Sequence, residues 1–401
     1  MLAPLTSSAA LALLSPSARV VVASSLPESI QRPEELPWRD VHWPTLLSIA
    51  SYERAEVQVQ RLAQRAPAEA VPAEVHGALQ RVCRVASFRS GEMGDAAAAV
   101  CDALTASHVP ALWLKGAALS FRQPAGFGTR DMGDLDILVE SAQLSAASAA
   151  LRASGWRDDG AMTMYDVHHH AAPLVWRSGL RLELHTGLFS AGHPFAGDSA
   201  SAWLARGEWL PRGDRRVLVL TTVWHLVHAS IHWAWSHEGE VGTWQYLHDV
   251  HRLTAGWTDG DWSALVDSAR QVGGSVPVGW ALWTAAAIGG LRIPDGVVEG
   301  LRGPARNLDG IAEREWVVRA LHSPMASPSV RWSRLWWRRA MRGLGDGGER
   351  WPWSLGRAGA LAERDRVPVK GVAGGLSASP LRRFARGIER WTRHLTRVLG
   401  G

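Results

Sequence analysis

Apolar residues recur at helical spacing through the first quarter of the chain. They then fall into short blocks of strand length, and later return to the helical period. Trp43 to Arg65 carries Leu46, Leu47, Ile49, Val57, Val59 and Leu62 on one stripe and is predicted as a helix. Ala73 to Ser107 is predicted as a second long helix, with Pro67 and Pro72 ahead of its start. Val109 to Leu114 is a short apolar run, read as a strand, followed by Lys115-Gly116 and a helical Ala117 to Phe121. A second strand, Asp134 to Val139, opens with two carboxylates. Ser141 is placed to cap a helix that runs to Gly155. Ala172–Arg177 and Leu180–Leu184 form the arms of a hairpin joined by Ser178-Gly179. In its second arm Leu180, Leu182 and Leu184 share one face, and Arg181, Glu183 and His185 share the other. From Leu218 the period is helical again, with further helices over Trp244–Leu253, from Asp259, and over Trp280–Ile288. Residues 190–325 are expected to be all-helical.

At 401 residues the chain can hold two or three domains, and 46% hydrophobic with 20% charged residues is a globular composition. Met1 to Leu14 is apolar but has no basic residue ahead of it, so it reads as a helix and not a secretory signal. No uninterrupted apolar run reaches transmembrane length, about 18 residues. Cys83 and Cys101 offer neither a disulfide framework nor zinc spacing and fit a reducing, cytoplasmic setting. The net charge of +5 is uneven: from Arg331 onward there are 16 Arg and Lys against 5 Asp and Glu. Within that tail Arg331–Arg342 is a basic helix carrying Trp332, Trp336 and Trp337. It suits peripheral contact with a membrane surface or with RNA, or tryptophans packed on a domain with arginines in water. Gly343–Gly348 and Gly371–Gly375 read as flexible breaks.

Candidate chemistry centres on Arg130-Asp131-Met132-Gly133-Asp134-Leu135-Asp136. Side chains two apart on a strand share a face, so Asp134 and Asp136 lie roughly 6–7 Å apart. Two such carboxylates repel each other and suit a hard cation, Mg²⁺ or Mn²⁺, although a solvated strand start looks the same. Removing one charge should then leave stability unchanged or raised. Glu183 can join the pair if its strand lies alongside. Lys115-Gly116, between a strand and a helix, has the form that offers backbone N–H groups and an ammonium to phosphate. Only two of the 43 basic residues are lysine, Lys115 and Lys370. Farther on, His228 and His232 share a helical face, but no glutamate follows the first of them as a zinc protease would require.

Three pieces therefore stand in order: Leu114-Lys115-Gly116, Arg130-Asp131-Met132-Gly133-Asp134-Leu135-Asp136 and Glu183-Leu184-His185. Together they resemble the nucleotidyltransferase superfamily related to DNA polymerase β. More closely they resemble its uncharacterised bacterial family with Leu-Lys-Gly, Arg-x-x-Gly-Asp-x-Asp and Glu-Leu-His motifs. His228, His232, Asp249 and Asp261-Trp262 are similar to that family's helical half, and the resemblance runs from Trp43 to Ile293. The superfamily's usual Gly-Ser is Gly116-Ala117 here, and Asp131 stands where relatives often have proline.

The resemblance implies an α+β fold. A small mixed β-sheet nucleotidyltransferase core over residues 108–190 would be flanked by N-terminal helices (1–107). An all-helical part (191–325) would line the acceptor side, and the basic Arg/Trp-rich region (326–401) would follow. It implies attack by an acceptor oxygen on the α-phosphorus of a nucleoside triphosphate such as ATP, with pyrophosphate leaving. Two Mg²⁺ (or Mn²⁺) about 3.5–4 Å apart would assist. Asp134 and Asp136 would bridge the metals. Glu183 would hold one or act as base. Lys115, Gly116 and Arg130 would bind the nucleotide. The acceptor side would draw on His168, His169, His170, His185, His228, His232 and Asp249. The acceptor could be a small molecule, a peptide or RNA. A module that binds nucleotide without turnover, or a nucleic-acid-associated protein acting through its tail, are the other readings. The intact carboxylates favour an enzyme.

Overall fold

Short helices make up the N-terminal part: α1 (Ser7–Ala12), α2 (Pro16–Ser25), α3 (Trp43–Tyr52) and α4 (Glu56–Gln64). The 34-residue α5 (Ala73–Ala106) follows. The computed structural model describes residues 5–124, 126–159, 171–189, 197–237, 241–303 and 309–319, with residues 195, 239 and 321. The basic tail, and His168, His169 and His170, lie outside the described residues.

The helix expected over Trp43–Arg65 is two helices. Arg54 between them takes a left-handed φ of 55°, which turns the chain from α3 into α4. Glu53 at that turn is buried, and its Oε2 accepts a hydrogen bond from the Trp244 backbone N–H at 2.9 Å.

Burial pushes the Glu53 carboxyl from its ordinary 4.5 up to about 8. The folded chain therefore holds a proton that the unfolded chain loses near its ordinary pKa. Stability from this group is full at low pH and falls as pH rises towards 8. Glu53→Gln has no such proton to hold. It is expected to be more stable than wild type above pH 4.5. The gain should grow to about 1–3 kcal/mol near pH 8, read by urea denaturation at a series of pH values. A difference that does not change with pH would contradict this.

The central sheet is built from β1 (Leu112–Trp113), β2 (Asp134–Leu138), β3 (Arg157–Asp158), β4 (Leu174–Val175), β5 (Arg181–His185), β6 (Gly207–Arg212) and β7 (Arg215–Leu220). The strand order is β3-β4-β5-β2-β1-β7-β6. β2 runs parallel to β5 and β1 parallel to β7, while the other pairs are antiparallel. The fold is thus α+β with a mixed sheet, as the resemblance implied. Between the strands lie α6 (Lys115–Arg122), α7 (Leu144–Ala153) and α8 (Ala200–Leu204). Ser141 does not cap α7 directly: Ser141–Gln143 form a 3₁₀ turn, and the α-helix begins at Leu144.

One face of the sheet is the core. Leu135 and Ile137 of β2, Leu182 and Leu184 of β5, and Val217 and Val219 of β7 pack against Met93, Ala97, Val100 and Leu104 of α5 and Leu151 of α7. The pleat then sends Asp134 and Asp136, with Glu183 and His185, to the opposite face.

Residues 190–325 are not all-helical, which corrects the expectation for that region. The β6–β7 hairpin lies within it, and β7 joins the sheet directly against β1. Arg215–Leu220 is an unbroken apolar block after two arginines, so it lacks the alternation of a half-exposed strand. The turn signal was Gly213, whose φ of 63° suits glycine. Helices follow it: α9 (Thr222–Ile231), α10 (Thr243–Leu253), α11 (Asp259–Gln271), α12 (Ser275–Ala287), α13 (Val297–Arg302) and α14 (Asp309–Arg319). Trp244 of α10 donates its indole N–H to Ser24 of α2 at 2.9 Å, tying this part to the N-terminal helices. Among the described residues no helix is long and apolar enough to cross a membrane.

Candidate active site

Parallel register sets the site. Asp136 on β2 is the partner of Glu183 on β5, and Leu138 is the partner of His185. Residues in register on neighbouring strands face the same way, so the carboxylates meet on the face away from the core. Oxygens of Asp136 and Glu183 and a ring nitrogen of His185 all lie within 4.8 Å of one another. The His185 Nε2 stands 2.8 Å from Asp136 Oδ1 and 3.6 Å from Glu183 Oε2. Asp136 is buried, whereas the Glu183 side chain keeps 22% exposure and is the more accessible of the two carboxylates.

Lys115 enters this group from the next strand. β1 ends at Trp113, and Leu114 N–H donates to the Asp136 carbonyl, so residue 115 begins beside Asp136. Lys115 adopts a φ of 48° as the strand turns into α6, an uncommon conformation for a residue with a side chain. Its Nζ lies 2.7 Å from Asp136 Oδ1. Burial alone would raise the Asp136 carboxyl, but the Lys115 ammonium and the His185 hydrogen bond outweigh it and hold it well below the usual range. Burial likewise opposes the Lys115 charge, and Asp136, Asp134 and Glu183 outweigh it in turn. The Asp134 carboxyl moves the other way. Burial and the neighbouring Asp136 charge raise it, with Lys115 and Arg54 only partly opposing. The like-charge conflict foreseen between the two aspartates thus falls on Asp134.

Gly116 has a local reason to be glycine. A Cβ there would land on the Arg130 guanidinium and crowd Met132 Sδ at 3.3 Å. Arg130 is itself fixed: its Nε donates to Asp249 Oδ1 on α10 at 2.9 Å, and both side chains are only 9% exposed. Asp249 in turn meets His248 Nδ1 at 3.1 Å, and the His248 ring stacks on Trp244 at 4.8 Å. Asp249, an acceptor-side candidate in the sequence, is therefore the partner that holds Arg130 over the Lys115-Gly116 turn.

Histidines gather on the same side. His228 is buried on α9, with its ring centroid 5.9 Å from that of His232. After Ile231 the helix widens into a π-helical turn, His232–Ser236, and this brings His237 Nε2 to 2.9 Å from His232 Nε2. Burial, first, and the charge of Lys115 or of neighbouring histidines hold His228, His232 and His237 below the ordinary imidazole value. The pairing of His237 with His232 was not legible, because five residues is off-face in a regular α-helix and meets only through a π turn.

A family model described as an uncharacterised nucleotidyltransferase matches residues 39–290. The chain belongs to this family. The match spans α6, β2, β5 and Asp249, and so takes in every residue of the site just described. No curated protein and no solved structure matches the chain. For this nucleotidyltransferase-family protein, a transferase is the general class of activity supported. Asp136, Glu183 and His185 form a group that could hold a divalent metal. The chemistry of the donors fits one. The Asp136 and Glu183 carboxylates with Asp134 beside them give a hard oxygen set, and a cation would relieve the burial and the Asp136 charge that together raise Asp134.

Proposed function

We propose that the protein transfers a nucleoside monophosphate from a nucleoside triphosphate to an acceptor oxygen, with pyrophosphate leaving, on the Asp134–Asp136–Glu183 face. The observation that carries this is the β2–β5 register, which sets Asp136 beside Glu183 with Lys115 on the same carboxylate inside a nucleotidyltransferase-family match.

In this reading Asp134, Asp136 and Glu183 would hold Mg²⁺ or Mn²⁺, with His185 orienting Asp136. A cation there would lower the pKa of an attacking hydroxyl and offset charge on the departing pyrophosphate. Glu183, the more accessible carboxylate, takes the hydroxyl proton or binds that cation. Lys115 has three N–H donors, so it can keep its bond to Asp136 and still offer two to the β- and γ-phosphates. Gly116 leaves backbone N–H groups at the start of α6 open to phosphate oxygens. Arg130, held by Asp249, adds a guanidinium that does not have to be ordered on binding. This grip would replace the hydroxyl of the superfamily's usual Gly-Ser. His228 and His232, neutral at physiological pH, offer hydrogen bonds to an acceptor without repelling the cation.

The site so proposed draws on residues 108–190 together with α9, the π-helical turn at His232 and α10. The test is the fate of the α-phosphate. Label placed there should reach a host component when the protein is given extract and Mg²⁺, and chelation should stop it.

A further inference from the structure

A cavity of about 160 Å³ lies beside the carboxylate face, between α4, α5 and the segment that leads into β2. Arg54, Arg61 and Arg130 line it, with the hydroxyl side chains of Ser87 and Ser90. Its one acidic lining residue is Asp131, which already stands 3.5 Å from Arg89 and 3.9 Å from Arg54. Arg130 is charge-balanced by Asp249 and Asp131 is shared between Arg89 and Arg54, so Arg54 and Arg61 together outweigh the one carboxylate among the described lining residues.

Arg54 is held in place by the fold. Its left-handed backbone, uncommon for a residue with a side chain, turns its guanidinium over Gly133, where a Cβ would come within 2.6 Å of Nη2. That puts an arginine one residue away from Asp134, near enough for its charge to act on that carboxyl. Lys115 supplies the cation that Asp136 pairs with and Arg54 helps to offset Asp134, which leaves Arg61 unexplained by the carboxylate face.

We propose that this cavity is an anion subsite that takes one phosphate group, held between Arg54 and Arg61 with Arg130 at its inner edge. Cavities near 150 Å³ hold about one benzene ring. The space therefore suits a single phosphate with bridging water and not a nucleoside. Guanidinium forks match phosphate oxygens, and the Ser87 hydroxyl can donate to the remainder, the Ser90 hydroxyl being spent on the Phe127 carbonyl at 3.1 Å. The phosphate can come from the tail of the triphosphate or from an acceptor that itself carries phosphate. Only that assignment of source rests on the nucleotidyl-transfer reading.

The test is titration of the full chain with inorganic phosphate, followed by calorimetry, for wild type, Arg54→Gln, Arg61→Gln and Arg270→Gln. Arg61 is on an exposed helix face, and glutamine keeps its helix propensity, so this variant should fold even if Arg54→Gln does not. Arg54→Gln and Arg61→Gln are each expected to weaken phosphate binding about tenfold or more, as for one charge-assisted contact, with Arg270→Gln, an exposed α11 arginine away from the cavity, unchanged. A parallel titration with Mg²⁺ and a non-hydrolysable triphosphate separates the sources. A matching loss in Arg61→Gln assigns the subsite to the triphosphate, and no loss assigns it to the acceptor. Phosphate affinity in Arg61→Gln equal to wild type, or no phosphate binding by wild type, would overturn the proposal. Phosphate binding that follows the arginines while no α-phosphate is ever transferred would leave the subsite standing and remove only the nucleotidyl-transfer reading.

Discussion

Asp136→Asn is expected to lose nucleotidyl transfer by at least about 10³-fold, more than removal of one electrostatic contact gives in other enzymes. The substitution removes a ligand charge from the proposed metal group and strips the charge from the bonds that set His185 and Lys115 in place. Its effect on stability is expected to be a loss. Considered as one of two adjacent aspartates, Asp136 would leave the chain better off without its charge. The structure reverses that sign, because Asp136 is buried between an ammonium at 2.7 Å and an imidazole at 2.8 Å. Leaving such a partner uncompensated typically costs about 3–5 kcal/mol, less where one member is partly exposed as Lys115 is. The relief of repulsion belongs to Asp134, so Asp134→Asn should melt at or above the wild-type temperature while also losing activity. Turnover of Asp136→Asn within a few-fold of wild type, with its circular dichroism spectrum intact, would remove the residue from the mechanism. A higher melting temperature for Asp136→Asn than for Asp134→Asn would contradict the electrostatic account.

Lys115→Ala is expected to lower kcat/KM about 10²–10³-fold, the scale of one contact that strengthens as charge develops on the leaving group. The loss has two sources. The triphosphate forfeits an ammonium, and Asp136 forfeits the partner that keeps it ionised. Lys115→Arg restores a charge but not the compact head that fits beside Asp136, so recovery should be partial. If Lys115 served only to shape the turn into α6, then Lys115→Arg would match wild type. Lys115→Ala would then change stability and leave binding of Mg²⁺ with a non-hydrolysable triphosphate untouched.

What could be read from sequence was local. The β2 strand with its same-face aspartates, the hairpin that ends in Glu183 and His185, and the long α5 each follow from spacing within a few residues, and the structure contains all three. Whether Glu183 stands next to Asp136 depended on which strands are neighbours, and no periodicity encodes that. The Arg130–Asp249 pair joins residues 119 apart in sequence, and it gives Asp249 a structural partner that spacing could not suggest. The β6–β7 hairpin was hidden because β7, buried against β1, reads as the start of a helix. The Arg54 turn was hidden because its cause lies in α10, where Trp244 takes up Glu53.

The account stands or falls on which phosphorus is attacked. Wild type, host extract and Mg²⁺ should be incubated in parallel with triphosphate labelled at the α- or at the γ-position, and products separated from nucleotide. The expected result is label entering an acceptor from the α-position only, absent with chelator and absent with Asp136→Asn. Label entering from the γ-position, or α-label transferred equally well by Asp136→Asn, would contradict it.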